Sequence, residues 1–233
     1  MALRQILKQL LAAEPASAPV PADVPPAHTG PRVLNVGGGS KSIPIPSCYA
    51  GWNHLLLDID PRGNPDIVCD ARDLDTLEAS QFDAIYCSHN LEHYYKHEGV
   101  DVLKGFLHVL KPDGFADIRV PDLNVVMRRC VQQNMDLEDI LYVSPSGPIA
   151  IRDVIYGWAV EIEQSGQDFY AHKTGFTPRS LNQFIREAGF QTVFVSPNEE
   201  GFEVRALAFK GRPTDNQRAL LGLPALEPQR DSS

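Results

Sequence analysis

The stretch VLNVGGGS, residues 33–40, decides how the rest of the chain is read. An apolar run that stops at three glycines is a buried strand. The turn it feeds can take positive φ and let its backbone approach a ligand closely. In an open parallel sheet, such a turn lies at the carboxyl edge of the strands, where ligands bind. By themselves Gly37, Gly38 and Gly39 are a weak signal, because turns use glycine freely. The residues after them are more specific.

A dinucleotide fingerprint places a third glycine three positions after the second, opening a helix whose N-terminus holds a pyrophosphate. That position here is Ser42, and Pro44 and Pro46 come next in KSIPIPSC. Prolines so close behind the turn cut short a helix beginning there, so the main anion site of that design is missing. Nineteen residues after Gly39, the apolar run NHLLLDI (53–59) carries Asp58. A carboxylate at that strand end can accept both hydroxyls of a ribose. Asp58 as a loop cap is the bland alternative, and Asp60 is a competing candidate. Asp70 closes IVCD one strand further on. Its carboxylate and the Ala71 amide suit an adenine edge, and Asp70 suits equally well the N-cap of a helix over 72–79.

Further outward, strands are expected at 66–69, 82–87, 115–120, 191–196 and 204–209, and helices at 91–110 and 178–188. Gly189 is the C-cap of the last helix. Alternating strands and helices predict a Rossmann-like three-layer α/β sandwich. Its mainly parallel seven-stranded sheet ends in an antiparallel hairpin around Pro197–Gly201. Residues 31–211 form this domain. Within it, 121–176 is too long for a connection; it carries helices at 123–133 and 151–163 and reads as a substrate cover. Residues 1–14 have the spacing of an amphipathic helix. It can pack on the domain, pair with a second copy in a homodimer, or touch a membrane surface, and packing is favoured. Residues 15–30 are a Pro/Ala-rich linker and 212–233 a mobile tail.

The 233 residues are 43% hydrophobic, enough for one core. A net charge of −9 and the lack of a basic stripe argue against nucleic acid and favour a small-molecule partner. No apolar run is long enough to span a bilayer, and the N-terminus lacks the apolar block of an export signal. Cys48, Cys69, Cys87 and Cys130 form no CxxC pair, as expected for reduced thiols in a cytoplasm.

One further motif bears on chemistry. His89-Asn90-Leu91-Glu92-His93 matches H-x-x-E-H, a zinc pattern that needs both histidines on one helix. Here the box comes directly after the strand FDAIYC, so His89 falls at a strand-to-helix turn, with Ser88 or Asn90 as N-cap and Glu92 in the first turn. No metal is expected on that basis. His89 or His93 can serve as a general base, although for His93 packing is the favoured role. In the cover, His172 of YAHKTGF is an alternative base, as are Tyr94, Tyr95 and Tyr170.

In chain order, VLNVGGGS (33–40), LLLDID (55–60), IVCDARDL (67–74), FDAIYCSHNLEHYY (82–95), LKPDGFADIRVPD (110–122) and FIREAGF (184–190) resemble the class I S-adenosylmethionine-dependent methyltransferases. More narrowly, the chain is similar to small bacterial predicted methyltransferases with an S-H-x-L-E-H motif and a late H-K-T-G-F segment. The resemblance covers about residues 31–210. It implies S-adenosyl-L-methionine as cofactor, a ligand without phosphate, held by Asn35, Gly37, Gly38, Gly39, Asp58, Asp70, Ala71 and Ser88. Two positions depart from the family pattern: Asn35 stands where an acidic residue is usual, and Lys41 where many members have a third glycine. The implied reaction is methyl transfer to an oxygen or nitrogen of a small metabolite or sugar-like acceptor. A noncatalytic cofactor-binding protein is the rival reading, and a dinucleotide oxidoreductase a weaker one.

Overall fold

The computed structural model describes residues 29–145 and 147–225. The expected N-terminal helix, nearly all of the linker and the end of the tail lie outside the described residues. Five parallel strands open the main sheet: β1 (Arg32–Val36), β2 (Asn53–Asp58), β3 (Ile67–Val68), β4 (Phe82–Ser88) and β5 (Leu110–Pro121). Two later strands, β8 (Thr192–Asn198) and β9 (Glu203–Phe209), complete it as an antiparallel hairpin. The seven-strand order is β3-β2-β1-β4-β5-β9-β8. This is the Rossmann-like arrangement expected, with the order reversing between β1 and β4. The crevice above that reversal is where such sheets bind ligands.

Strand β1 is buried along its whole length, as a parallel strand covered on both faces must be. Leu34 and Val36 point to one face, into a core with Phe106 and Val102 of helix α1 (Lys96–Val109) and Phe184 and Ile185 of helix α5 (Pro178–Ala188). Val33 points to the other, where Tyr49, Phe115, Phe209 and Leu221 gather. Each fully buried aromatic or aliphatic side chain contributes roughly 1.5–3 kcal/mol. Helix α5 is bounded as the sequence predicts. Thr177 caps it, Pro178 takes the first position, and Gly189 ends it in the left-handed region at φ +118°.

Among the described residues, no α-helix lies between β1 and β2; the only helical turn there is the 3-10 segment Ser47–Tyr49, just after Pro46. Two expected helices are shorter than read. Residues 71–76 form a 3-10 helix, and in 91–110 a 3-10 turn at Leu91–His93 precedes α1. The cover holds helix α2 (Leu123–Gln133), a hairpin of β6 (Ile140–Ser144) and β7 (Gly147–Ala150), and helices α3 (Ile151–Tyr156) and α4 (Ala159–Ser165). The expected single helix over 151–163 breaks at Gly157, whose φ is +101° and where a Cβ would collide with the Tyr170 carbonyl. Val126, Leu141 and Ile151 of the cover form a small core together with Phe202 of the β8–β9 turn. Part of the expected mobile tail is instead helix α6 (Asp215–Leu221), with Leu221 buried and Arg218 over the Phe194 ring. Among the described residues, no helix is long and apolar enough to cross a membrane.

Candidate active site

At the carboxyl edge of β1 the chain turns through Gly37 (φ +71°) and Gly39 (φ +67°), conformations that cost a residue with a Cβ on the order of 1–2 kcal/mol. Space is short as well. A Cβ on Gly37 would overlap the Asn90 amide, and one on Gly38 would overlap Asn35, buried directly beneath. The Gly37 amide donates to the Leu57 carbonyl at 2.8 Å. Asp58, at the end of β2, accepts from the Gly39 amide at 2.8 Å and from the Asp60 amide at 2.9 Å. It therefore closes the loop, as the bland alternative required. Its carboxylate also lines the cavity, and each oxygen has a second lone pair for a ligand hydroxyl.

Asp70 likewise does what its alternative reading said. It caps the 3-10 helix by accepting from the Arg72 amide at 2.9 Å, and it pairs with the Arg72 guanidinium at 2.7 Å. It too lines the cavity. Three other expected cofactor contacts are placed differently. Asn35 lies under Gly38 as a support. Ala71 is in the core with its amide facing the Tyr94 hydroxyl. Ser88 shares a face with Tyr86, whose hydroxyl it meets, because residues two apart on a strand point the same way. None of these three side chains lines the cavity.

The HNLEH box forms the next wall. His89 adopts φ +51°, so the chain leaves β4 sharply, and only Leu91–His93 is helical. His89 and His93 thus never share a helical face, and the H-x-x-E-H zinc arrangement does not form. Asn90 sits at the N-cap position without a side-chain cap bond. The His89 ring lies between Glu203, 3.3 Å from Nε2, and Glu92, 3.5 Å from Nδ1. Burial disfavours its charge, but hydrogen bonds to Glu203 and Glu92 prevail and hold the imidazolium up to about 10. With both ring nitrogens turned to carboxylates, His89 presents no lone pair to an acceptor in this arrangement. Arg119, 3.8 Å from Glu203, completes this group.

His93 and His172 differ from His89. The His93 Nδ1 lies 3.2 Å from the Ala171 carbonyl, and the His172 Nδ1 lies 2.9 Å from that of Val154. Because a carbonyl only accepts, each Nδ1 carries a hydrogen, and in the neutral ring the lone pair lies on Nε2. The rings meet edge to face with centroids 4.8 Å apart. Burial pushes His172 below its ordinary value, against the pull of Glu92. Glu92 itself is 1% exposed; burial opposes its charge, yet His89 keeps it ionised. The cover is docked onto this residue, with the Lys173 and Thr174 amides donating to the Glu92 carbonyl at 2.8 and 3.1 Å.

A second tie joins cover and sheet. The Tyr170 hydroxyl donates to Asp60 at 2.8 Å, and Arg62 reaches Asp60, Tyr170 and Glu161. Hydrogen bonds from Arg62 are the main cause holding the Asp60 carboxyl down to about 2. Tyr170, which burial and Asp60 raise to about 12, stays protonated. Burial raises Tyr94 too, and Tyr95 is exposed outside the cavity. The tyrosines are therefore no bases. Arg62, Glu161 and Glu203 had no sequence signal, since the pairs Arg62–Glu161 and His89–Glu203 join residues about 100 positions apart.

These walls enclose one cavity of 570 Å³, reaching from Gly37, Gly39 and Asp58 to Glu92, His93 and His172. Its glycine end suits an adenosyl ligand without phosphate: close-approach backbone, a carboxylate for hydroxyls and no helix N-terminus for a pyrophosphate. Similarity to solved structures is distant. A methyltransferase of Archaeoglobus fulgidus described as dependent on S-adenosylmethionine is 15% identical, with 78% of this chain and 87% of that one covered and a TM-score of 0.46. One from Methanosarcina mazei is 15% identical over 79% and 94%, TM-score 0.48. The 1,6-didemethyltoxoflavin-N1-methyltransferase of Burkholderia thailandensis is 17% identical over 78% and 72%, TM-score 0.45. No curated protein matches. The family described as methyltransferase domain matches residues 2–195. This chain accordingly belongs to the methyltransferase-domain family, as a class I S-adenosylmethionine-dependent enzyme.

Proposed function

We propose that the chain moves a methyl group from S-adenosylmethionine to an oxygen or nitrogen of a small metabolite or sugar-like acceptor. The observation carrying this reading is the single cavity with two chemically different ends. Gly37 and Gly39 let the cofactor lie against backbone, Asp58 accepts from its ribose, and Asp70 stands at the adenine side. The cofactor's sulfonium supplies a methyl group that is already activated. What remains for the protein is alignment, exclusion of water and acceptance of a proton. The Glu92 carboxylate and the Nε2 atoms of His93 and His172 present lone pairs to an acceptor O–H or N–H, and the acceptor's proton leaves toward them. Tyr142, Trp158 and Phe202 give that end of the cavity an aromatic lining. All four cysteines are free thiols, in keeping with a reducing compartment.

Calorimetry with S-adenosylhomocysteine and with NAD tests the cofactor half. Saturable binding of the first and none of the second is expected, and the reverse would sink the proposal. Transfer of labelled methyl to a panel of small hydroxy and amino compounds tests the other half. Tight S-adenosylhomocysteine binding with no transfer to any of them would favour a noncatalytic protein instead.

A further inference from the structure

Glu92, His93 and His172 form a cluster of ligand-capable atoms. One ligand-capable atom from each lies within 4.8 Å of the other two, and His172 Nε2 is 4.0 Å from Glu92 Oε1. Glu92 is 1% exposed, yet its Oε1 has only the long 3.5 Å contact to His89 and its Oε2 has no hydrogen-bond partner. The His89 ring approaches from one side only and leaves Oε2 without a donor. Lone pairs gathered this way repel one another unless a cation or a donor sits among them.

The surroundings resemble those of a metal site. Both histidines donate Nδ1–H to backbone carbonyls, of Ala171 and Val154. That is the usual way a protein orients an imidazole so that Nε2 faces an ion. The ligands come from separate segments that the fold locks together, because the Lys173 and Thr174 amides donate to the Glu92 carbonyl. Three protein ligands facing a 570 Å³ cavity leave coordination positions open, as in catalytic rather than structural sites. Two imidazoles with one carboxylate favour a first-row divalent ion such as Zn²⁺, Mn²⁺ or Fe²⁺ over Mg²⁺ or Ca²⁺. Ligands about 2.1 Å from a tetrahedral ion stand roughly 3.4 Å apart, so small side-chain rotations close the site.

We propose that Glu92, His93 and His172 bind one divalent transition-metal ion at the acceptor end of the cavity, with its open positions taking an oxygen or nitrogen of the acceptor. The inference rests on the methyl-transfer reading above and revises its acceptor side: one Glu92 oxygen and the two Nε2 atoms hold the ion, and the second Glu92 oxygen takes the acceptor's proton. It departs from the sequence expectation of no metal because the third ligand, His172, lies 79 residues from His93 and only the fold brings it in.

The test uses the full chain stripped with a chelator and titrated with Zn²⁺ by calorimetry and with Co²⁺ by visible absorption. One site per chain in the micromolar range or tighter is expected, with Co²⁺ bands stronger than those of the hydrated ion. His93→Gln and His172→Gln should each weaken Zn²⁺ binding at least about tenfold. S-adenosylhomocysteine affinity, measured in parallel, should stay within about twofold and so report an intact fold in each variant. No saturable site up to millimolar metal, or Zn²⁺ affinity unchanged in both variants, would overturn the assignment. Failure of the wild-type chain to bind S-adenosylhomocysteine would instead count against the methyltransferase reading, whatever the metal result.

Discussion

At the glycine end of the cavity the contacts come from backbone and from carboxylates at strand ends, within about 40 residues of chain. The cover end is built from side chains of residues 92, 93 and 172, whose positions depend on Gly157, the Glu92 carbonyl and the Val154 carbonyl. A loop held by its own strand tolerates little change in backbone but some in side chains. A cluster assembled from distant segments tolerates the opposite. Cofactor binding and acceptor chemistry should therefore fail separately under mutation.

The sharpest separation is expected from His172→Gln. It removes a lone-pair-bearing nitrogen without enlarging the pocket much, so kcat should fall about 10²-fold while S-adenosylhomocysteine still binds normally in calorimetry. Equal losses in both measurements would mean the two ends are one unit. Next in size is Gly37→Ala. Positive φ and overlap with Asn90 together cost roughly 2 kcal/mol, which should raise the S-adenosylhomocysteine Kd about thirtyfold with unchanged far-UV circular dichroism. Asp58→Asn should come third, at about tenfold weaker cofactor binding, through loss of a charge-assisted bond; unaltered affinity would show that Asp58 serves the loop alone.

The smallest effect tests the tie between the halves. Tyr170→Phe removes the hydroxyl between Asp60 and Arg62 and should lower the melting temperature by about 2 °C and raise the acceptor KM. The sign with pH is set by Asp60. Its folded value lies at about 2, below the ordinary value near 4. Its contribution is thus complete above roughly pH 4 and lost as pH falls through about 2. The stability gap between wild type and Asp60→Asn should shrink over that interval, and a constant gap would remove Asp60 from the tie.

Much of the glycine end was legible because its chemistry is local. Proline at 44 and 46 denies a helix whatever the tertiary context, and Gly37, Gly39 and Asp58 sit on or beside strands that their own apolar runs announce. Ser88, expected at the cofactor, has its hydroxyl beside that of Tyr86, because strand alternation puts the two on one face. The setting of His89 was not legible because it depends on Glu203, 114 residues away, which no spacing rule connects to it. The tail helix around Leu221 escaped notice because its few apolar residues gain meaning only against Phe194 and Phe209.

VLNVGGGS, the later apolar runs and Pro44 and Pro46 determined, unaided, a mainly parallel sheet whose glycine turn opens no α-helix, because strand periodicity and glycine and proline stereochemistry are properties of adjacent residues. Which histidine is cationic, which two keep a free nitrogen, and that His172 comes to lie beside Glu92 were decided only by the folded chain. Protonation and pairing depend on burial and on partners that sequence distance conceals.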